Sequence, residues 1–189
     1  MTTIVYLHGF GSNNQTEKVG FLREAFPDCE VVAPNIPPTA REAHFVIEQF
    51  LADLIIEDKD IVLVGTSLGG FWAHFFGYEF NLPVVIMNPS INPSVTLKRY
   101  ADGRPTRVEG FTSAMADEYA YFEEQLYFVP LYDRVALFEE GDDILDAAAN
   151  FNKYKGNSDA ILIPGGSHKF ENLDLLKEKI KEILEYAVF

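Results

Sequence analysis

Cysteine is almost absent. Cys29 is the only one among 189 residues, so no intrachain disulfide can form, which agrees with a reducing compartment. Positive charge is scarce too: 15 Lys and Arg stand against 29 Asp and Glu, for a net charge of -14. A field of that sign repels phosphate backbones and anionic bilayers, so neither nucleic acid nor a membrane surface is an expected partner. The acidity also keeps the chain soluble. No apolar run approaches the roughly 18 residues needed to cross a bilayer. The first residues, Met1-Thr2-Thr3-Ile4-Val5-Tyr6-Leu7-His8, lack a basic start and carry too short an apolar run for a signal peptide, so a cytoplasmic protein is expected. There is no Gly-x-Gly-x-x-Gly and no P-loop, and no pair of histidines and carboxylates has metal-ligand spacing. No cofactor and no metal are expected. Internal repeats, low-complexity tracts and domain-splitting linkers are missing as well.

What is present is a regular alternation. With 48% hydrophobic and 23% charged residues, the chain suits one soluble domain with a substantial core. Short apolar, β-rich runs at Ile4–Leu7, Cys29–Ala33, Ile61–Val64, Leu82–Met87, Arg134–Phe138 and Ala160–Ile163 predict six strands. Helices are predicted between them: Gln15–Phe26, a segment capped by Thr39 that runs to about Glu57, Leu68 to about Phe80, Ile144–Tyr154 and Leu173–Tyr186. Thr39-x-x-Glu42 fits a capping box. Near-continuous apolar strands alternating with helices predict an α/β fold with a mostly parallel sheet covered on both faces. The rhythm breaks over residues 90–132. Prolines and glycines interrupt that stretch, and Tyr100, Phe111, Tyr119, Tyr121, Phe122, Tyr127, Phe128 and Tyr132 crowd into it. It reads as a cap-like insertion above the sheet within a single domain, 1–189.

The most informative stretch is Gly65-Thr66-Ser67-Leu68-Gly69, a Gly-x-Ser-x-Gly between an apolar strand and an apolar helix. A sharp strand-to-helix turn lifts the Ser67 hydroxyl out of the sheet. It also presents the Leu68 amide at a helix N-terminus, where N–H groups and the helix dipole favour an oxyanion. Gly65 and Gly69 flank the serine because a Cβ there would meet neighbouring backbone. This pattern is the nucleophile elbow of α/β-hydrolases. The alternative is a plain tight turn with Ser67 as a helix cap.

Functional loops in such a sheet gather at the strands' carboxyl ends. His8-Gly9-Phe10-Gly11 follows the first strand, Ser67 the third, Gly141-Asp142-Asp143 the fifth and His168 the last. The order Ser, Asp, His is the one expected of α/β-hydrolases. Serine needs a base to take its proton; His168 suits that role, and an acid must orient the imidazole. Asp142, Asp143 and Asp146 all lie near the end of the fifth strand. The run places Asp142 on the turn as the acid, Asp143 as a possible cap for the next helix, and Asp146 inside that helix. The oxyanion donors are assigned to the Leu68 and Phe10 amides, with Gly9 and Gly11 letting that loop approach the substrate. His8 is expected to shape the loop by hydrogen bonding, while His44 and His74 pack or face solvent. The aromatics of 90–132 would either wall an acyl site or pack the insertion down. Lys98, Arg99, Arg104 and Arg107 would either meet an anionic part of a substrate or balance local acids.

Together, His8-Gly9-Phe10-Gly11-Ser12, Gly65-Thr66-Ser67-Leu68-Gly69-Gly70, Asn88-Pro89, Gly141-Asp142-Asp143-Ile144-Leu145-Asp146 and Gly165-Gly166-Ser167-His168-Lys169-Phe170 resemble the YqiA/YcfP-type bacterial esterases, compact α/β-hydrolases, over nearly the whole chain. The resemblance implies hydrolysis of acyl esters or thioesters, short-chain esters and acyl-CoA among them. It implies Ser67 as nucleophile, Asp142 as acid and His168 as base. The family's acid turn usually reads Asp-Glu-Val-Leu; here Asp143 and Ile144 replace its second and third residues and keep the turn. The expected partner is thus a small acyl ester or thioester, with a carboxylesterase ahead of a thioesterase. A non-catalytic binding protein on the same scaffold is the alternative from another class. Oligomeric state is left open by the sequence.

Overall fold

The computed structural model describes residues 1–104, 108–128 and 134–186. Arg107 and Tyr132, both singled out in the sequence, lie outside the described residues. Six parallel strands form one sheet in the order β2-β1-β3-β4-β5-β6. They are β1 Thr3–Leu7, β2 Glu30–Val32, β3 Ile61–Thr66, β4 Val84–Met87, β5 Arg134–Glu139 and β6 Asp159–Ile163. The main helices are α1 Glu17–Ala25, α2 Ala40–Ile56 and α3 Leu68–Glu79 in the first half, with α7 Ala147–Tyr154 and α8 Leu173–Tyr186 in the second. Short helices α4 Pro93–Thr96, α5 Ser113–Asp117 and α6 Ala120–Glu123, with a 3-10 turn at Leu97–Tyr100, fill the interval between β4 and β5.

Alternation along each strand splits the core in two. Ile4, Tyr6, Val62, Val64, Val85 and Met87 face α1 and α8, packing on Val19, Leu22, Leu176, Ile180 and Ile183. Val5, Leu7, Leu63, Val84 and Ile86 face α2 and α3. Both faces are therefore dry, which explains why the strands read as unbroken apolar runs. Helix α3 is buried from Leu68 to Gly77. Its outer side is covered by Tyr119 and Phe122, whose rings pack on Phe71 and Trp72, while Phe111, buried in the same cluster, packs edge-on against Phe10. Each such buried aromatic contributes on the order of 2–3 kcal/mol. Of the two readings of the aromatics, packing describes these three. Among the described members of that group, Tyr100 alone lines the cleft beside Ser67.

Local differences from the sequence reading have local causes. Helix α7 begins at Ala147 rather than Ile144, because Asp146 caps it by accepting from the Ala149 amide at 2.9 Å. Asp146 therefore stands at the helix start, not inside it, and Asp143 is exposed and is not the cap of this helix. Thr39 does precede α2, but its hydroxyl donates to the Glu42 carboxylate at 2.6 Å and accepts no backbone N–H, so the two side chains of the capping box bond each other instead of the helix amides.

The strand order positions the site. The chain runs from β1 outward to β2, then crosses back to lay β3 on the other side of β1. The loops after β1 and β3 thus leave the sheet in opposite directions and open a crevice between them, the usual ligand position in such sheets.

Candidate active site

Ser67 sits at the turn between β3 and α3 with φ 56° and ψ -119°, a region that non-glycine residues rarely adopt. The turn is pinned at both ends: the Ser67 amide donates to the Met87 carbonyl and the Ser90 amide donates to the Ser67 carbonyl, each at 3.0 Å. A Cβ on Gly65 would strike the Gly69–Gly70 backbone, and one on Gly69 would strike the carbonyls of Leu7, the last residue of β1, and of His8 just after it. Glycine at 69 therefore lets α3 start against the neighbouring strand, a closer demand than the turn alone makes.

Three side chains from three strand ends meet here. His168 Nε2 lies 2.9 Å from Ser67 Oγ. His168 Nδ1 lies 2.9 Å from each oxygen of Asp142. The Asp142 side chain is 1% exposed and that of His168 is 20% exposed. Asp142 Oδ1 also accepts the amides of Ile144 and Leu145 at 2.8 and 2.9 Å. Burial pushes the Asp142 carboxyl upward, but the bond from His168 and the two amides outweigh it and hold the group below the usual carboxylate range. Ionised Asp142 requires the proton on His168 Nδ1, leaving Nε2 as the acceptor facing the Ser67 hydroxyl. This geometry lets the imidazole take the serine proton.

The predicted amide donors also come to the crevice. Phe10 and Leu68 both line it with Ser67, Gly9 and Gly11. Among the described residues, neither the Phe10 nor the Leu68 amide donates to a protein acceptor. His8 is buried; its Nε2 accepts from the Ile36 amide at 3.0 Å, which puts the proton on Nδ1, 2.9 Å from the Gly9 carbonyl. It thus ties down the glycine loop, and burial lowers its pKa.

The crevice has a volume of about 980 Å³. Its lining includes apolar Phe10, Leu97, Tyr100, Ile144 and Leu145 as well as polar Thr16, Glu17, Lys18, Lys169 and Glu171. Burial lowers the Lys18 pKa, an effect partly offset by the charges of Glu139 and Glu17. Lys98 and Arg99, expected at the substrate, do not line the crevice. Lys98 Nζ is 2.6 Å from Asp117, and Arg99 donates to the Ile144 carbonyl at 2.8 Å with its guanidinium over Tyr100. Arg104 is exposed. Among the described residues no group of three or more His, Cys, Asp or Glu could hold a metal ion, and no helix is long and apolar enough to cross a membrane.

Sequence reasoning missed one buried group, and left a second, His74, open between packing and solvent. Glu139, at the end of β5, is 1% exposed, and its carboxylate faces the loop that carries His168. A glutamate at a strand end ordinarily signals solvent; only the neighbouring Gly165-Gly166 hinted at close packing there. His74 is fully buried in α3.

The family model described as an uncharacterised protein family, UPF0227, matches residues 3–187, and the chain belongs to that family. The UPF0227 protein YcfP of Escherichia coli O9:H4 is 24% identical over 183 residues, covering 94% of this chain and 96% of that protein. Among solved structures, one titled as LipS and LipT, two metagenome-derived lipolytic enzymes, superposes with a TM-score of 0.72 at 16% identity, covering 98% and 94% of the two chains. Mouse alpha/beta hydrolase domain-containing protein 10 gives a TM-score of 0.70 at 16% identity over 97% and 89%. The fold is that of the α/β-hydrolases, and the YcfP-type resemblance seen in the motifs is a family relationship.

Proposed function

We propose that this UPF0227 protein is a serine hydrolase, a carboxylesterase that cleaves short-chain acyl esters through an acyl-enzyme on Ser67. The observation that carries the reading is the unbroken relay from Asp142 through His168 to Ser67, with 2.9 Å at each step. In the first half-reaction Ser67 Oγ attacks the ester carbonyl carbon while His168 Nε2 takes its proton. The carbonyl oxygen gains the negative charge and is met by the Phe10 and Leu68 amides, each donor typically worth about 3–4 kcal/mol of barrier. Asp142 stabilises the imidazolium without taking its proton. Collapse breaks the bond to the alcohol, and His168 returns the proton to that leaving oxygen. Water then attacks the acyl-serine by the same route, releasing the acid and restoring Ser67.

The apolar lining residues Phe10, Leu97, Tyr100, Ile144 and Leu145 suit the acyl chain. A thioester is the second reading. It draws on Lys18 and Lys169 in the crevice wall, whose charge complements a phosphate-bearing leaving group.

The test is labelling with a fluorophosphonate probe, with Ser67→Ala as control, followed by nitrophenyl esters of increasing chain length and acetyl-CoA. Ser67-dependent labelling and a preference for short esters are expected. A folded protein with no Ser67-dependent labelling would instead favour a binding protein on this scaffold.

A further inference from the structure

His168 sits on the loop between β6 and α8, where Gly165 and Gly166 both have positive φ and Phe170 has φ 61°. Such a loop has no intrinsic reason to hold one conformation. Here it is gripped from outside. The buried Glu139 carboxylate accepts three backbone N–H groups from it. Oε2 takes those of Ser167 and Glu171 at 2.9 and 3.0 Å, and Oε1 takes those of Glu171 and Asn172, both at 2.9 Å. The loop presses on the acid so closely that a Cβ on Gly166 would overlap the Glu139 carboxylate.

Asn88, also buried, grips the same loop through its carbonyls. Its Nδ2 donates to those of Ser167 and His168 at 2.9 and 3.4 Å, and its Oδ1 accepts the Glu139 amide at 2.8 Å. Lys18 Nζ adds a bond to the Lys169 carbonyl. The backbone on either side of His168 is therefore fixed through donors and acceptors alike. Glu139 stands three residues before Asp142, so one rigid strand end holds the imidazole's carboxylate partner and the loop beneath the imidazole.

We propose that Glu139, backed by Asn88, is the positioning residue that sets the His168 ring between Asp142 and Ser67. This inference rests on the esterase reading of that site. A carboxylate is suited to the task because both oxygens accept, whereas an amide of the same size would set an N–H against an N–H. A buried donor left without its acceptor is destabilising, and a displacement near 1 Å at a reacting group can cost about a hundredfold in rate. The simpler role for Glu139 is capping α8, whose first residue follows Asn172 directly. Capping alone would lower stability and leave turnover of the folded protein unchanged.

Glu139→Gln separates the two roles. The readouts are kcat and KM on nitrophenyl acetate well below the melting temperature, the rate of fluorophosphonate labelling, and the low-field proton NMR signal of His168 Nδ1–H, assigned by its loss in His168→Ala. The expected result is kcat reduced about tenfold or more with KM within about twofold, slower labelling of Ser67, and faster solvent exchange of the Nδ1 proton. Unchanged kcat and an unchanged Nδ1 proton in the folded variant would overturn the proposal. Should Glu139→Gln not fold, Glu139→Asp, which keeps two acceptor oxygens on a shorter arm, is judged by the same criteria. If the wild type is never labelled, the esterase reading fails on its own. The Nδ1 proton still decides the positioning role, because it is read without turnover.

Discussion

The molecule contains two histidine relays, and they are built alike from opposite electrostatics. His168 joins a hydroxyl, Ser67, to a carboxylate, Asp142, at 2.9 Å on each side. His74 joins a hydroxyl, Tyr154, at 2.6 Å on Nδ1 to a guanidinium, Arg134, at 2.9 Å on Nε2. The first is partly open to the crevice; the second is sealed inside the core. Burial first, and then the Arg134 charge, push the His74 pKa down to about 3. Arg134 Nε and Nη2 have no hydrogen-bond partner among the described residues. Placing a histidine beside a hydroxyl is not enough to make a base. Burial together with the charge on its far side keeps the His74 imidazole from holding a proton.

The largest expected contrast is in turnover. Ser67→Ala or His168→Ala should lower kcat by about 10⁶-fold, the scale on which a triad member is lost, while His74→Gln should leave kcat within about twofold in the folded protein. Next is Asp142→Asn, which keeps the shape but no longer requires the proton on His168 Nδ1. A fall of about 10⁴-fold in kcat is expected in steady-state assays. Gly69→Ala should destabilise by at least about 1–3 kcal/mol in urea melts, since the new methyl meets β1 backbone that cannot yield. A fourth effect is read in pH. In the unfolded chain His74 binds its proton near about pH 6.5, but in the folded chain only near about 3. Between those values the unfolded state holds the extra proton, so stability falls as pH is lowered through the window. His74→Gln should flatten that slope in thermal melts, even if it lowers the melting temperature at neutral pH. The smallest effect is Asp146→Ala, which removes the cap of α7 and should cost about 1 kcal/mol.

The sheet and the elbow were legible because their causes are local. Apolar runs between turn residues mark strands, and Gly65-x-Ser67-x-Gly69 specifies its own geometry. His168 was legible from its place after the last strand, and Asp142 from its place on the turn. What was hidden depends on residues far apart in the chain. Nothing near His74 announces Arg134, 60 residues on. Nothing near Glu139 announces the three amides of 167–172 that converge on it. Lys98 and Arg99 look free in the sequence because Asp117 and the Ile144 carbonyl, which engage them, belong to other elements. The start of α7 was misread for a related reason. Ile144 and Leu145 look helical, but their amides are spent on Asp142, and the helix waits for Asp146.

The central claim is that the His168 relay activates Ser67 for acyl transfer and that the His74 relay activates nothing. The direct test is to quench wild-type protein during turnover of nitrophenyl acetate and map the acetyl group by mass spectrometry, with His168→Ala and His74→Gln in parallel. The account predicts acetyl on Ser67 in the wild type and in His74→Gln, and none in His168→Ala. Acetyl on another residue, or undiminished acetylation of Ser67 without His168, would contradict it.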